Sequence, residues 1–394
     1  MVSRKLTVVL AMALLTGCAS QGGLQGASKD EAHKQWNTAR SSVLYGLAKQ
    51  QYDNGSFGEA RKSLDQALTL NSENPQLHIL MARLMIEQGQ LEPADKELQT
   101  AKALDPKNAE VDYLCGVVYQ RWQKLEAALD CYQKAFEKQP TELAYLLAQA
   151  ETLVALDRVT DALDLLQGKL AYFENSPIIR DAVGQLLVQQ GRYADGAAAL
   201  RQASILGPDE PTIREHLALA LFYAREYREA EVQLDRLLKD EKYSSRSDLV
   251  MALGECQFQA GRMLDARSTF ETASQLDPSS AAVWLNLTKV ALRLNDTRRA
   301  DLAVRKALAL EAQNSEAYLL LGYLRMNQDR LPEALTAFRK ASSLDPQDPT
   351  SLSMAGLTLE KQGQHAQAIA CYGQALKLKP GDELASTLMA QAHE

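Results

Sequence analysis

Residues 109–142 read AEVDYLCGVVYQRWQKLEAALDCYQKAFEKQPTE, and the same 34-residue pattern recurs ten times between residues 41 and 382. The copies align on one small residue each: Ala60, Ala94, Ala128, Ala162, Gly196, Ala230, Ala266, Ala300, Ala334 and Ala368. Their spacing is 34 residues throughout, except for 36 between Ala230 and Ala266. A period of this length with paired amphipathic helices predicts a helical repeat stack rather than a globular enzyme.

Each copy divides into two helices whose small and apolar residues fall on one face, at spacings of three and four. In the quoted copy Pro140 follows the second helix, because proline cannot continue one. Counted from Ala109 as position 1, the small residues occupy positions 8, 20 and 27, and position 24 is large and apolar in every copy. Small residues let two helices approach closely, while the large one fills the space between them.

This pattern resembles the tetratricopeptide repeat over 342 of the 394 residues. Position 8 is Ala or Gly in nine copies, position 27 is Ala in eight, and position 32 is proline in six. The resemblance implies an all-α solenoid, a right-handed superhelix of about ten helix-turn-helix repeats. The predicted repeats are 41–74, 75–108, 109–142, 143–176, 177–210, 211–246, 247–280, 281–314, 315–348 and 349–382. A capping helix is predicted at 383–394.

Two copies depart from the pattern. The fourth has Lys169 at position 27 and Gly168 inside its second helix. The sixth has Leu237 at position 27 and two extra residues near its end. One interpretation is a loose joint that divides the array near 176 and 246. The interpretation that we favour is that neighbouring residues compensate and the packing is retained.

The first eighteen residues have a different character. Arg4 and Lys5 precede an apolar run at 6–15, and the run ends in Leu-Thr-Gly-Cys at 15–18. Ten apolar residues span only about 15 Å as a helix, so the run predicts a signal peptide at 1–17 rather than a membrane span. Its ending resembles the lipobox of bacterial lipoproteins and implies cleavage before Cys18 and acylation of that cysteine. An ordinary secretory signal that happens to contain a cysteine is the alternative.

Residues 18–40 are then expected to form a lipidated flexible tether and a lead-in to the repeats. Ala19 stands where inner-membrane lipoproteins of enteric-type bacteria often carry Asp. The resemblance therefore implies the periplasmic face of the outer membrane, with the lipid as the only anchor. The net charge is −7. An acidic chain without a basic stripe argues against a nucleic-acid partner.

The inner groove of tetratricopeptide stacks comes mainly from the first helix of each repeat, at positions 2, 5, 9, 12 and 13. Here these positions are largely apolar, with Asp181 and Glu215 in the middle. A groove of this kind favours an extended or helical peptide with hydrophobic anchors. The alternative is that several of these residues pack on the adjacent repeat and are never exposed. The candidate partner-binding residues are Ile79, Tyr113, Val117, Leu147, Leu219, Phe222, Met251, Phe258, Leu285, Leu319 and Tyr323.

Motifs that carry chemistry are not found in the sequence: it has no Gly-x-Ser-x-Gly, no His-Glu-x-x-His and no phosphate-binding glycine loop. For Cys115 and Cys131, on the two helices of one repeat, a disulfide is conceivable, but free buried thiols are favoured. We expect no catalytic or metal site, no cofactor and no small-molecule substrate. The histidines are far apart and are interpreted as solvated helix residues: His33, His78, His216, His365 and His393.

These features together predict a non-enzymatic, lipid-anchored periplasmic scaffold that binds protein partners in its groove. Similar bacterial lipoproteins serve in the tight-adherence (Flp) pilus system and in secretin assembly, so a pilus or secretion machine is the favoured context. The alternative is an adaptor or regulator of a cell-wall or exopolysaccharide enzyme complex.

Overall fold

The computed structural model describes residues 29–393, and within them every regular element is an α-helix, with no strand. The prediction of an all-α solenoid is therefore confirmed. The predicted signal peptide, Cys18 and the first part of the tether lie outside the described residues. None of the described helices combines the length and the apolar character needed to cross a membrane.

Within the described residues the structure divides into two compact units, with the boundary between Tyr145 and Leu146. The helices up to the end of the first unit are α1 Lys29–Asp53, α2 Phe57–Leu70, α3 Pro75–Glu87, α4 Leu91–Leu104, α5 Ala109–Arg121 and α6 Leu125–Lys138. Helix α7, Leu143–Ala155, contains the unit boundary. The predicted lead-in at 18–40 is thus helical from Lys29 onward, as part of α1.

The second unit continues the same hairpins. Its helices after α7 are α8 Val159–Gln167, α9 Pro177–Gln189, α10 Tyr193–Leu206, α11 Pro211–Tyr223, α12 Tyr227–Leu237, α13 Glu241–Ser244, α14 Ser247–Gln259, α15 Met263–Leu276, α16 Ala281–Arg293, α17 Thr297–Leu310, α18 Ser315–Asn327, α19 Leu331–Leu344, α20 Pro349–Lys361, α21 His365–Leu378 and α22 Glu383–His393. Helix α22 coincides with the predicted capping helix, and it packs on α20 and α21.

The core of each hairpin lies where the pattern places it. The large residue at position 24 is at most 1% exposed in all ten copies, from Leu64 to Tyr372. It meets the small residue at position 8 of the first helix, as Phe338 meets Gly322. Fully burying a large apolar side chain contributes about 1.5–3 kcal/mol, so ten such residues stabilise the stack substantially.

The turn inside each hairpin has the same backbone geometry in all ten copies. The residue at position 15 has a positive φ between 55° and 78° in every case. Five of these residues are glycine, and Asp157, Asn295 and Asp329 also tolerate this region. Gln123 and Arg225 adopt it as well, although their side chains do not favour it. The helix packing therefore imposes this conformation.

The two irregular copies keep their packing. In the fourth, α8 is only nine residues long and ends at Gly168, yet it packs on α9. In the sixth, the two extra residues fall beside the short helix α13, and Tyr243 is 3% exposed in the cluster that contains Leu237 and Leu249. The boundary between the two compact units lies between Tyr145 and Leu146 and not near 176 or 246.

Candidate functional site

The eleven predicted groove residues all lie on the first helix of a hairpin. Nine of them keep part of their surface exposed. Ile79 and Leu285 are buried, at 2% and 4% exposure, so the packing alternative applies to these two. The other nine leave apolar surface that the stacking of hairpins does not cover. Their role in binding stays a prediction.

Within the first unit, the partly exposed groove residue Tyr113 packs against two buried aromatic rings. The ring of Tyr113 lies 5.6 Å from that of Tyr132 and 5.0 Å from that of Tyr145, measured between centroids. Burial, followed by the nearby Glu110, raises the pKa of Tyr145 above its usual value. Tyr113 is therefore held in place by its neighbours while one part of it faces the groove.

A second feature of the first unit is a small cleft lined by the first helices of its repeats. The cleft has a volume of about 150 Å³, and Tyr45, Lys49, Ile79 and Arg83 are among its walls. Arg83 forms an ion pair with Glu110 across 2.5 Å, from position 9 of one repeat to position 2 of the next. The ion pair between Arg83 and Glu110 thus partly closes the cleft.

The second unit has a larger and more apolar cleft on α7 and α9. Its volume is about 300 Å³. Leu147, Val154 and Leu186 supply apolar walls, and small residues at Ala150 and Ala182 leave the space open. Of these residues, the sequence selected only Leu147 as a candidate.

Polar groups on the rim of this cleft were missed by sequence reasoning. Glu151, Gln185 and Gln189 line it at positions 9, 9 and 13 of their helices. Positions 9 and 13 are among the groove positions of the repeat, so the position of these residues in the repeat could have identified them. Amide and carboxylate groups beside an apolar floor are suited to hydrogen bonding with a peptide backbone.

The acidic residues expected in the middle of the groove are engaged by neighbouring helices. Asp181 accepts a hydrogen bond from the His216 imidazole across 2.8 Å, and this bond raises the pKa of His216. Glu215 accepts one from the Arg246 guanidinium at 3.0 Å, and Arg246 also holds the pKa of Asp248 below its usual value. These two carboxylates are thus engaged in contacts that connect successive hairpins.

The histidines show one correction. His78 was expected to be solvated, but it is 8% exposed, with its two ring nitrogens 2.6 Å from Glu97 Oε2 and 2.9 Å from the carbonyl of Ser72. The carboxylate of Glu97 raises the pKa of His78. Among the described residues, no group of three His, Cys, Asp or Glu side chains is placed to hold a metal ion.

The cysteines beyond residue 18 are free thiols, which settles the alternative between a disulfide and buried thiols. Cys115 and Cys131 are 2% and 7% exposed. Burial raises the pKa of Cys115 to about 12 and that of Cys131 to about 11. Neither has the depressed pKa of a nucleophilic cysteine.

Comparison with protein families finds two tetratricopeptide repeat models, matching residues 51–117 and 183–222. The model of the C-terminal domain of cilia and flagella-associated protein 70 matches residues 222–394. The solved structure of the Cut9–Hcn1 hetero-tetramer of APC/C is similar, with a TM-score of 0.48 and 14% identity over 92% of this chain and 98% of that one.

Two curated relatives are similar in sequence. The TPR repeat-containing protein YpiA of Bacillus subtilis (strain 168) is 25% identical over 59% of this chain. Cellulose synthase operon protein C of Pseudomonas fluorescens (strain SBW25) is 24% identical over 71% of this chain. The chain spans 55% and 26% of their respective lengths. Neither name refers to a pilus or a secretin.

Proposed function

We propose that the chain is a scaffold that binds protein partners along the first helices of its repeats, and the tetratricopeptide repeat models that match residues 51–117 and 183–222 support this proposal. One observation carries the proposal. Nine apolar groove residues stay partly exposed although the hairpins around them are fully stacked. Apolar surface that folding does not cover marks an interaction site.

The proposed ligand is an extended or helical peptide segment with hydrophobic anchors. The cleft beside Leu147 would take one large apolar side chain, because its volume of about 300 Å³ is at the lower limit of ligand pockets. Glu151 and Gln185 would hydrogen-bond to the backbone on either side of that anchor. Most of the affinity would come from a few such anchors, with neighbouring contacts excluding water.

The cellular context is proposed from the relatives and from the first eighteen residues. The similarity to cellulose synthase operon protein C supports a scaffold or adaptor in exopolysaccharide export. Assembly of a pilus or secretion machine is the other candidate, because lipoproteins with such repeats serve there. For either context we propose that the chain lies on the periplasmic face of the outer membrane and is held by lipid on Cys18, which the lipobox-like sequence at 15–18 supports.

The groove is tested by site-specific photocrosslinking in the native envelope. A photoreactive amino acid at Leu147 or Phe222 should capture a protein partner. The matched controls are Ile205 and Leu302, which are apolar and exposed at 77% and 59% but lie on second helices. Mass spectrometry would identify the captured protein. Equal capture at the control positions would show that the groove does not bind.

The same residues can be tested by affinity. With the captured partner, Leu147→Ala or Phe222→Ala should weaken binding by tenfold or more, on the order of 1–2 kcal/mol for an anchor residue. Ile205→Ala and Leu302→Ala should leave it unchanged.

The lipid anchor is tested separately with Cys18→Ser. We expect this variant to leave the membrane fraction while its circular dichroism stays that of a folded helical protein. Ser20→Ala is the control and should stay in the membrane. A Cys18→Ser protein that remains in the membrane pellet with an uncleaved N-terminus would contradict the lipoprotein proposal.

A further inference from the structure

Helix α1 leaves uncovered the face that its counterparts bury. In the nine later repeats, position 3 of the first helix is buried, at 8% exposure or less; these residues are Leu77, Val111, Tyr145, Ile179, Ile213, Leu249, Val283, Ala317 and Ser351. The equivalent residue in the first repeat is Val43, which is 73% exposed. Leu47, at position 7, is 44% exposed. The same structural face is therefore apolar but open on α1.

The open face continues along the whole helix. Trp36 is 64% exposed and lies two turns before Val43. Among the exposed residues of α1, six are spaced in steps of four and three and so share one face: Ala32, Trp36, Ala39, Val43, Gly46 and Gln50. Steps of four and three are those of the seam along which two helices pack in a coiled coil. We propose that α1 pairs in antiparallel fashion with α1 of a second copy of this chain.

The exposed side chains of α22, the last described helix, favour a two-fold symmetric contact between two α1 helices. They do not favour a head-to-tail contact between α1 of one copy and α22 of another. A head-to-tail contact would need a matching apolar face on α22. Apart from Leu384, the exposed side chains of α22 are mainly polar or small, including Glu383, Ser386, Thr387 and Gln391. A two-fold contact needs no second surface, because the same face meets itself.

The antiparallel orientation follows from the order of side-chain sizes along the seam. With the two-fold axis beside residue 41, Trp36 of each copy lies opposite Gly46 of the other, and Val43 lies opposite Ala39. A large side chain then fills the space above a small one at every central layer. A parallel pair would place Trp36 against Trp36 and leave a gap between two Gly46 residues.

The size of the contact sets the expected affinity. Residues 32–50 span about 27 Å of helix. One pair of helices of this length is at the low end of stable interfaces, which bury about 1,200 Å² or more. We therefore expect a dissociation constant in the micromolar range.

The central test compares two glycines. A Cβ added at Gly46 or at Gly58 would meet nothing within 4 Å, so neither substitution disturbs the fold of one copy. Gly58 lies on α2, away from the seam. In sedimentation velocity from about 1 to 100 µM, the full chain and Gly58→Glu should form dimers. Gly46→Glu should weaken the dimer by at least about tenfold.

Two outcomes would overturn the proposal. One is a chain that stays monomeric at about 100 µM, which would leave the face to a different protein. The other is a Gly46→Glu dimer as tight as that of Gly58→Glu. Both variants should keep the circular dichroism of the parent, so loss of folding cannot be mistaken for loss of the dimer.

The orientation has its own test in a Cys18→Ser background. Oxidation of a mixture of Ala39→Cys and Val43→Cys chains should crosslink one variant to the other. Either variant alone should crosslink poorly. Efficient crosslinking of Val43→Cys to itself would show a parallel pair and contradict the antiparallel arrangement.

Discussion

The pairing of position 8 with position 24 gives the most quantitative prediction about the fold. Where position 24 is aromatic, position 8 is glycine in all four copies: Gly116–Tyr132, Gly254–Phe270, Gly322–Phe338 and Gly356–Tyr372. In four other copies alanine faces leucine, as Ala82 does Leu98. We choose Gly322→Ala because the ring of Phe338 is fully buried and cannot move toward solvent.

The magnitude follows from the space around Gly322. A Cβ there would lie 2.5 Å from Cδ1 and 2.8 Å from Cζ of Phe338, about 1 Å closer than van der Waals contact allows. Overpacking of this kind costs about 1–3 kcal/mol. Replacing a helical glycine by alanine contributes about 1 kcal/mol in the opposite direction. Because the added Cβ overlaps a fully buried ring, we expect the overpacking cost at the upper end of that range, about 2–3 kcal/mol, and hence a net loss of about 1–2 kcal/mol.

The assay is urea unfolding followed by circular dichroism, together with amide hydrogen exchange in α18 and α19. Exchange is needed because repeat arrays can open locally rather than as one unit. Gly373→Ala is the control, since its added Cβ would only touch Met389 at 3.8 Å and should stabilise the protein.

A double variant makes the test specific. Gly322→Ala with Phe338→Leu recreates the alanine–leucine pair found in four other copies, so the second change should relieve the first. The two costs should then be non-additive by about 1 kcal/mol or more. A Gly322→Ala protein as stable as the parent, or costs that simply add, would refute the reasoning.

Three further predictions concern a turn, an ion pair and two thiols. Arg225→Gly should stabilise the protein by about 0.5–1 kcal/mol in urea unfolding, because Arg225 has a φ of 62° that glycine adopts without strain. His216→Gln should cost up to about 1 kcal/mol near pH 5.5 and little near pH 8.5. The hydrogen bond to Asp181 raises the folded-state pKa of His216 above the unfolded value of 6.5. The stabilisation of the protein by this bond is therefore present below pH 6.5 and is lost as the pH rises through the folded-state pKa. Equal costs of His216→Gln at both pH values would contradict this. Cys115 and Cys131 should react with iodoacetamide at pH 8 only in urea, as followed by peptide mass spectrometry, because burial keeps both thiols protonated.

The sequence could predict the hairpins because each of their requirements is repeated ten times. Position 24 must be large in every copy, and the structure buries it in every copy. Eight copies carry Gly, Asn or Asp at the turn, residue types that adopt a positive φ readily. Gln123 and Arg225 give no such signal in the sequence, because there the packing of the flanking helices overrides the preference of the single residue.

Contacts between distant residues were harder to predict. His78 can be buried because Glu97, 19 residues later, accepts a hydrogen bond from one ring nitrogen and the Ser72 carbonyl accepts one from the other. In the same way, Asp181 and Glu215 were expected in the middle of the groove, but Asp181 is bonded to His216 of the next hairpin and Glu215 to Arg246 at the start of α14. A repeat pattern fixes which faces meet, whereas these pairs depend on single residues that occur in one copy only.

The choice of side chain is less constrained by folding in the groove than in the core. Position 5 changes from Tyr45 to Asp181, Met251 and Ser353 along the chain, while the hairpins around it keep one geometry. Folding therefore tolerates many side chains at this position. Ser353 is buried and Asp181 accepts a hydrogen bond from His216, so packing accounts for these two, and we propose a bound partner as the reason for the partly exposed apolar residues. If this is correct, exchanging residues at positions 5, 9 and 12 between repeats should move the binding site along the chain while stability changes by no more than about 0.5 kcal/mol per exposed residue. In that case the residues that determine the fold recur in every copy of the repeat, whereas the residues that select the partner each occur in one copy only.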